Sequence, residues 1–207
     1  MPIRGAIFDM DGTLVDSSLD FDEMRREMGL VSGLPLLEAI AQQNPDDAER
    51  CWAVLHEHER RGAERATLYP GVREFLDTLA QRGLRRAVFT RNSRVSTADT
   101  LKRLELEFDP VVCREDGPAK PHPAAIWKIC EIWGFRPNEC IMIGDYRFDI
   151  EAGRRAGTHT VLFSGSGQTS GLDENEAADH TLLSFADTAA FWAWIAQIDL
   201  GGSGGSC

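Results

Sequence analysis

Long apolar runs are missing from this sequence of 207 residues, and their absence excludes several classes of protein. No stretch approaches the roughly 18 uninterrupted apolar residues that a membrane-spanning helix needs. The chain also begins without the apolar core that a secretory signal requires. The five cysteines have no C-x-x-C spacing, which predicts reduced thiols instead of a disulfide framework or a zinc site. We therefore expect a cytoplasmic protein that makes no contact with a membrane.

Positive charge is scarce as well. Lys and Arg total 22 against 33 Asp and Glu, which gives a formal net charge of -11 at pH 7. Most of such a surface repels a polyanion, so nucleic acid is not expected as a partner. The sequence contains only three lysines, which are Lys102, Lys120 and Lys128. Because arginine supplies most of the positive charge, a lysine next to a motif is more informative about function than usual.

The order of strands and helices predicts an α/β fold. An apolar run over residues 3–8 ends in Asp, as a buried parallel strand does. After residue 71, helices and strands alternate as far as a weak strand at 180–182 and a helix at 185–198. This alternation predicts a Rossmann-like parallel sheet with helices on both faces.

The stretch between residues 17 and 65 has a different pattern, with helices predicted near 19–28, 35–43 and 46–65 and no strand. We expect residues 1–16 and 66–200 to form an α/β core domain and residues 17–65 a helical cap. Because the cap cannot join the sheet, we expect it to cover the carboxyl edge of the strands, where α/β proteins bind ligands. Residues 201–207 have the composition of a flexible and engineered linker.

Two carboxylates follow the first predicted strand in the letters DMDGT. Alternate residues of an extended chain share a face, so Asp9, Asp11 and Thr13 are expected to point the same way. Neighbouring carboxylates need a cation or a shared proton, and Mg²⁺ prefers oxygen ligands of this kind. Gly12 permits a sharp turn close to a ligand. An ordinary acidic turn is the alternative, whereas a calcium loop fits poorly because Asp20 occupies its twelfth position.

Polar residues also follow two later segments. Thr90 ends a strand and, with Asn92, precedes a helix whose first amides are placed to hold a phosphate oxygen. A plain helix cap explains the same residues. Lys120 lies between an alanine and a proline just before a helix, where its ammonium is placed to neutralise a carboxylate and a bound phosphate. An exposed lysine at a proline-led helix entry is the alternative.

Gly144 and Asp145 end a further apolar strand, and Asp149 follows four residues later. We expect Asp145 to reach Mg²⁺ from a neighbouring strand. Asp149 either supports the metal and its loop or is simply an acid in the first turn of a helix. Together, the strand ends supply a nucleophile, a hydroxyl, a cation and a metal ligand, which phosphoryl transfer to a carboxylate requires.

In this order the motifs resemble those of the haloacid dehalogenase superfamily, over nearly the whole chain apart from the tail. The matching motifs are DxDGTL from Asp9, then Thr90, Lys120-Pro121, and Gly144-Asp145-x-x-x-Asp149. The helical stretch resembles the small cap of the phosphoglycolate phosphatase and β-phosphoglucomutase branch, although it is short for that branch. The resemblance implies a Mg²⁺-dependent phosphatase that acts on a small phosphorylated metabolite, as a monomer or a homodimer.

The resemblance also implies a role for each matching residue. Asp9 attacks phosphorus and becomes an aspartyl phosphate, while Asp11 protonates the leaving alcohol and then activates water. Mg²⁺ is bound by the carboxylates of Asp9 and Asp145 and by the backbone carbonyl of Asp11. The expected phosphate or substrate contacts are Thr90, Lys120, Gly12, Thr13, Arg91 and Asn92, with Gly144 and Asp149 in support.

Asp11 also separates branches of the superfamily. The dehalogenases lack an acid at this position because a halide leaves without a proton, whereas an alcohol needs one. The phosphonate-cleaving branch relies on a cap lysine, and residues 17–65 contain none. A sugar phosphomutase on the same scaffold is an alternative, and so is a catalytically silent binding protein, against which the intact motifs argue. Arg25 and Arg26 either bind an anionic substrate or simply lie on the solvated face of a helix. Arg91 directly follows Thr90 and is therefore the better candidate to bind an anionic substrate.

Overall fold

The computed structural model describes residues 2–31, 33–167, 171–172 and 177–201. The strands in this part of the chain are β1 (Gly5–Phe8), β2 (Val15–Asp16), β3 (Thr67–Leu68), β4 (Arg85–Phe89), β5 (Val111–Val112), β6 (Cys140–Gly144), β7 (His159–Phe163) and β8 (His180–Leu182). The helices are α1 (Phe21–Met28), α2 (Leu36–Ala41), α3 (Pro45–Arg65), α4 (Val72–Gln81), α5 (Arg94–Arg103), α6 (Ala124–Trp133), α7 (Arg147–Ala156) and α8 (Ala189–Gly201).

Strand β1 lies in the middle of a six-stranded parallel sheet with the order β5-β4-β1-β6-β7-β8. Phe8 is in register with Val88 of β4 on one side and with Ile143 of β6 on the other. The residues that follow these strands therefore emerge side by side at one edge of the sheet. The predicted α/β class with a parallel sheet is confirmed.

The two faces of the sheet are buried by different helices, because neighbouring residues of a strand point to opposite faces. Phe8 belongs to an apolar cluster that contains Phe75 of α4 and Phe191 of α8. Ile7 belongs to a second cluster, with Ile126 of α6. Each fully buried side chain of this size contributes about 1.5–3 kcal/mol by leaving water. Burial on both faces fixes β1 and the residues that follow it.

Helices α1, α2 and α3, which we call the helical segment, lie outside the sheet and have an apolar cluster of their own. This cluster contains Met24, Leu36, Ile40, Cys51 and Leu55. The segment is bounded by β2 and β3, which pair antiparallel with Val15 opposite Leu68 and Asp16 opposite Thr67. This short pair was not predicted, since two residues are too few for a periodic signal.

The last helix begins later than predicted, at Ala189 instead of 185. Ser184 and Asp187 form an isolated bridge, and the Ser184 hydroxyl accepts a hydrogen bond from the amide of Ala186, so this stretch is a turn. Phe185 is buried, with its ring stacked 4.6 Å from that of Phe163. Helix α8 includes Gly201, while residues 202–207 of the predicted tail lie outside the described residues.

The helices of the described residues include none that is long and apolar enough to cross a membrane. The described cysteines, which are Cys51, Cys113, Cys130 and Cys140, are free thiols, as their spacing predicted. Cys207 lies outside the described residues.

Candidate active site

Asp9 lies at the centre of a cluster of charged residues at the carboxyl edge of the sheet. It directly follows β1, and its amide donates to the carbonyl of Ile143 at 2.9 Å. Thr90 follows β4 and Asp145 follows β6, the two neighbours of β1. The side chains of all three residues line a single cavity. The sheet order thus brings together groups that are far apart in the chain.

Lys120 provides the positive charge beside Asp9. Its side chain is only 1% exposed, and its Nζ contacts a carboxylate oxygen of Asp9 and lies 2.7 Å from Oδ1 of Asp149. Burial lowers the pKa of Lys120, but the charges of Asp149 and Asp9 outweigh burial and raise it. Lys120 is therefore a fixed cation and not the exposed lysine of the alternative interpretation.

Asp9, Asp145 and Asp149 each direct a carboxylate oxygen to one point, and these oxygens lie within 4.8 Å of one another. Burial and, after it, the charge of Asp149 together raise the pKa of Asp145 to about 7. Burial also holds the pKa of Asp9 well above its usual range, although Lys120 opposes this effect. Three crowded carboxylates with one nearby ammonium have excess negative charge, which a small divalent cation with oxygen preference would neutralise. The residues therefore fit Mg²⁺.

Thr13 and Gly12 hold this cluster in place from the turn after β1. The hydroxyl of Thr13 is buried and donates to Oδ1 of Asp145 at 3.1 Å, so its role here is to orient that carboxylate. Gly12 has a φ of +80°, and a Cβ at this position would lie 2.2 Å from Oδ2 of Asp145. Gly144 is equally constrained, because its Cβ would lie 2.2 Å from Cγ of Asp149. Thr13 and Gly144 lie behind the cavity surface and do not line it.

Asp11 points away from the carboxylate cluster. Its Oδ2 accepts a hydrogen bond from Nδ2 of Asn92. Burial raises the pKa of Asp11 to about 6, even though hydrogen bonds from Ser17 and Asn92 oppose this effect. Its carboxylate lines the cavity but is not one of the three that converge on the candidate metal position. Asp9 and Asp11 therefore have different surroundings, in keeping with different roles.

Thr90 and Asn92 form a compact turn next to Asp9. Thr90 is 2% exposed, and its Oγ1 accepts a hydrogen bond from the amide of Asn92 at 3.1 Å. Ser93, the next residue, caps helix α5 by accepting from the amide of Ser96. The structure therefore contains both the cap of the alternative interpretation and a hydroxyl that lines the cavity.

Arg91 lines the same cavity, but its guanidinium already has partners. Its Nη2 lies 2.9 and 2.6 Å from the two carboxylate oxygens of Glu38 in α2, and its Nη1 donates to the carbonyl of Lys120 at 2.7 Å. The guanidinium also lies 4.8 Å from the centre of the Phe148 ring. Arg91 thus links the helical segment to the sheet edge, a contact that the sequence pattern did not indicate.

A second link, between Arg114 and Glu59 of α3, was also missed. Arg114 lies just after β5 and pairs with the buried carboxylate of Glu59, and its own side chain is only 10% exposed. Neither residue belongs to a recognisable motif. The available signal was weak and consisted of a Glu on the apolar side of α3, where a charge needs a partner.

The cavity has a volume of about 640 Å³ and lies between the helical segment and the sheet edge. Its polar floor contains the predicted residues Asp9, Asp11, Gly12, Thr90, Arg91, Asn92, Lys120, Asp145 and Asp149. Its walls include apolar side chains such as Leu19, Phe21, Leu36 and Leu55. A polar floor with apolar walls is typical of a site that binds one reactive group and a larger organic body.

The sequence of this chain is similar to those of several known proteins. A family model described as haloacid dehalogenase-like hydrolase matches residues 20–163. A haloacid dehalogenase-like hydrolase domain-containing protein of Arabidopsis thaliana is 32% identical over 178 residues, which cover 80% of this chain and 73% of that protein. A phosphoglycolate phosphatase of Nitrosospira multiformis is 31% identical over 187 residues, which cover 77% of this chain and 82% of that protein.

A solved structure is also similar in fold. The chain matches a phosphonoacetaldehyde hydrolase-like protein of Oleispira antarctica with a TM-score of 0.79 and 22% identity. The match covers 100% of this chain and 96% of the other. At this level of identity the likeness concerns the fold alone.

Proposed function

The chain belongs to the haloacid dehalogenase-like hydrolases, and we propose that it hydrolyses phosphate monoesters of small molecules through an aspartyl phosphate on Asp9. The observation that carries this proposal is the arrangement around Asp9. One carboxylate oxygen contacts Lys120, and Asp145 and Asp149 converge beside it. The same cavity contains a second acid, Asp11, with separate partners. A relative named phosphoglycolate phosphatase supports a phosphate ester as the substrate.

In the first step, a carboxylate oxygen of Asp9 attacks phosphorus while the bond from phosphorus to the alcohol oxygen breaks. Asp11 gives its proton to that departing oxygen, so a neutral alcohol leaves. Lys120 offsets the negative charge that spreads over the phosphate oxygens, and the Thr90 hydroxyl donates to one of them.

In the second step, Asp11 removes a proton from water, and the hydroxide oxygen attacks the same phosphorus. The bond between phosphorus and Asp9 breaks, so inorganic phosphate forms and the carboxylate is restored. The hydrogen bond from Asn92 keeps the Asp11 carboxylate in the same orientation in both steps. Asp11 is thus an acid in one step and a base in the next.

Mg²⁺ would be held by the carboxylates of Asp9 and Asp145, with Asp149 close enough to bind it or to orient its ligands. The backbone carbonyl of Asp11 is also proposed as a ligand. When bound, the ion would neutralise phosphate oxygens and so favour attack by an anionic carboxylate. Lys120 and Mg²⁺ together would balance the charge of the acidic cluster.

Phosphate release from a panel of phosphorylated metabolites and from a generic aryl phosphate tests the proposal. We expect release that requires Mg²⁺, stops in excess chelator and is abolished in Asp9→Asn, while circular dichroism shows a folded variant. Near-normal turnover in Asp9→Asn would refute the role of Asp9, and full activity in chelator would refute the metal role. An isomerised sugar phosphate without free phosphate would indicate a phosphomutase instead.

A further inference from the structure

Four cationic side chains line the cavity, and they differ in the partners that they already have. Lys120 is paired with Asp9 and Asp149, Arg91 with Glu38, and Arg114 with Glu59. Each of these charges is therefore balanced by the protein itself. Arg25 of α1 is the fourth, and no carboxylate of the described residues lies within ion-pair distance of its guanidinium.

The hydrogen bonds of Arg25 also distinguish it from the other three cations, because they occupy only part of its guanidinium. Its Nη2 donates to the carbonyl of Leu34 at 2.6 Å, which fixes the plane of the guanidinium. Its Nη1 is buried but has no hydrogen-bond partner among the described residues. A buried donor without a partner is costly, and a cationic donor more so, unless a ligand completes it. Arg26, the next residue, is exposed and does not line the cavity.

The size and walls of the cavity indicate what kind of substrate body fits between this donor and the reacting phosphate. A volume of about 640 Å³ falls in the range of cavities that hold drug-sized molecules and exceeds what a two-carbon ester would fill. Apolar side chains, among them Leu19, Phe21 and Leu36, line the space that the helical segment encloses. A substrate that spans the cavity therefore has an apolar body between its two ends.

We infer that Arg25 determines specificity by binding a second anionic group, a carboxylate or a phosphate, on the alcohol side of the substrate. This inference rests on the proposed phosphatase activity and extends it to a class of substrates. These are phosphate monoesters whose alcohol has a body of at least three carbons that ends in a negative charge. Guanidinium groups suit this task because their N–H donors match the paired oxygens of a carboxylate or phosphate.

A series of esters of known length tests the inference. The first arm uses phosphate esters of ω-hydroxy acids with one to six methylene groups, each compared with its neutral carboxamide. The second arm compares diol bisphosphates with the monophosphates of the same diols. We expect the charged ester to exceed its neutral counterpart in kcat/KM by roughly tenfold to a hundredfold once the body has three or more carbons. The arm with the larger ratio identifies carboxylate or phosphate as the preferred group.

Variants assign the preference to a residue. In Arg25→Met the ratio of charged to neutral ester should fall to about one, and in Arg25→Lys it should be intermediate. Arg26→Met is the matched control and should keep the ratio of the unchanged protein. Thermal unfolding checks that each variant is folded. In the unchanged protein, a charged-to-neutral ratio of kcat/KM near one at every ester length would overturn the inference. A preference for the charged esters that survives Arg25→Met would also overturn it, and so would a preference that is lost in Arg91→Met instead.

Binding of the same esters to Asp9→Asn, measured by titration calorimetry with Mg²⁺ present, is a readout independent of turnover. If binding favours the charged esters only while Arg25 is present, the inference holds even where no phosphate is released, and the proposed function alone fails. If phosphate is released but neither turnover nor binding distinguishes charged from neutral esters, the proposed function holds and the role of Arg25 fails.

Discussion

Glu59 and Arg114 form an ion pair that is largely shielded from solvent, because only 2% and 10% of the two side-chain surfaces are exposed. Nη2 of Arg114 lies 3.2 Å from Oε2 of Glu59, and its Nη1 also donates to the carbonyl of Arg91. The backbone carbonyl of Glu59 accepts a further hydrogen bond from the hydroxyl of Ser96. These contacts hold helix α3 against the loop after β4, which lines part of the cavity.

The first prediction concerns the stability that this pair provides. Glu59→Gln leaves the Arg114 charge buried without its counterion, so we expect a loss of about 3–5 kcal/mol in the free energy of unfolding, measured in urea. Glu38→Gln is the matched comparison, and since the Glu38 side chain is 41% exposed we expect a loss of about 1 kcal/mol or less. Equal losses in the two variants would contradict this reasoning.

The second prediction concerns the close contact between Gly12 and Asp145. Gly12→Ala puts a Cβ where the Asp145 carboxylate lies, so we expect turnover and Mg²⁺ affinity to fall roughly tenfold to a hundredfold. Gly83→Ala is the control because Gly83 also has a positive φ, +75°, with no atom within 4 Å of its Cβ. Both variants should lose about 1–2 kcal/mol of stability through backbone strain. Similar turnover in the two variants would show that the contact is unimportant.

The third prediction decides between the two interpretations of Asp149. Asp149→Asn keeps an oxygen that can accept from the amide of Tyr146, as Oδ2 does now at 3.1 Å, but it removes the charge beside Lys120. We expect kcat to fall roughly tenfold or more, with a smaller change in KM, because Lys120 then pairs more tightly with Asp9 and weakens it as a nucleophile. A loss of stability with unchanged kcat would instead assign Asp149 a purely structural role.

The fourth prediction concerns acid stability and His180. Burial lowers the pKa of His180 below its ordinary value of 6.5 in the folded chain. Above pH 6.5 the ring is neutral in both states and contributes no pH dependence. Below pH 6.5 the unfolded chain takes up the proton first, so stability is lost as the pH falls. His180→Phe keeps a ring against Trp194, now stacked at 5.0 Å, and removes the titrating group.

Urea unfolding at pH 7, 6 and 5 checks the His180 prediction. The loss of stability between pH 7 and pH 5 should be smaller in His180→Phe than in the unchanged protein. Parallel losses would show that His180 does not contribute to the acid sensitivity. The variant also removes Nε2 of His180, a buried nitrogen without a partner among the described residues.

The sheet and its polar edge could be predicted because they depend on local rules. An apolar strand followed by a polar residue is visible in the sequence at Asp9, Thr90 and Asp145, and parallel strands bring their carboxyl ends to one edge. The sequence could not show the sheet order directly. Parallel pairing places these strand ends at one edge in any order, and the resemblance to a known family then implied their individual roles.

Contacts between the helical segment and the sheet edge could not be predicted in the same way. Glu38 lies 53 residues from Arg91, and Glu59 lies 55 residues from Arg114. All four are common charged residues whose partners depend on how the helices pack. For this reason the sequence favours Arg91 as the anion-binding residue. In the structure its guanidinium is occupied by Glu38, whereas that of Arg25 has a nitrogen without a partner in the part of the chain that the structure describes.

The antiparallel pairing of β2 with β3 has a consequence for how this fold diversifies. Val15 lies opposite Leu68, so the chain leaves for the helical segment and returns from it about 5 Å apart, at adjacent strands. A segment of another length or architecture can be inserted between the same two strands without any shift in the register of the parallel sheet. Evolution can thus exchange the part that we propose to select the alcohol while the residues that we propose to hold the phosphate stay in place.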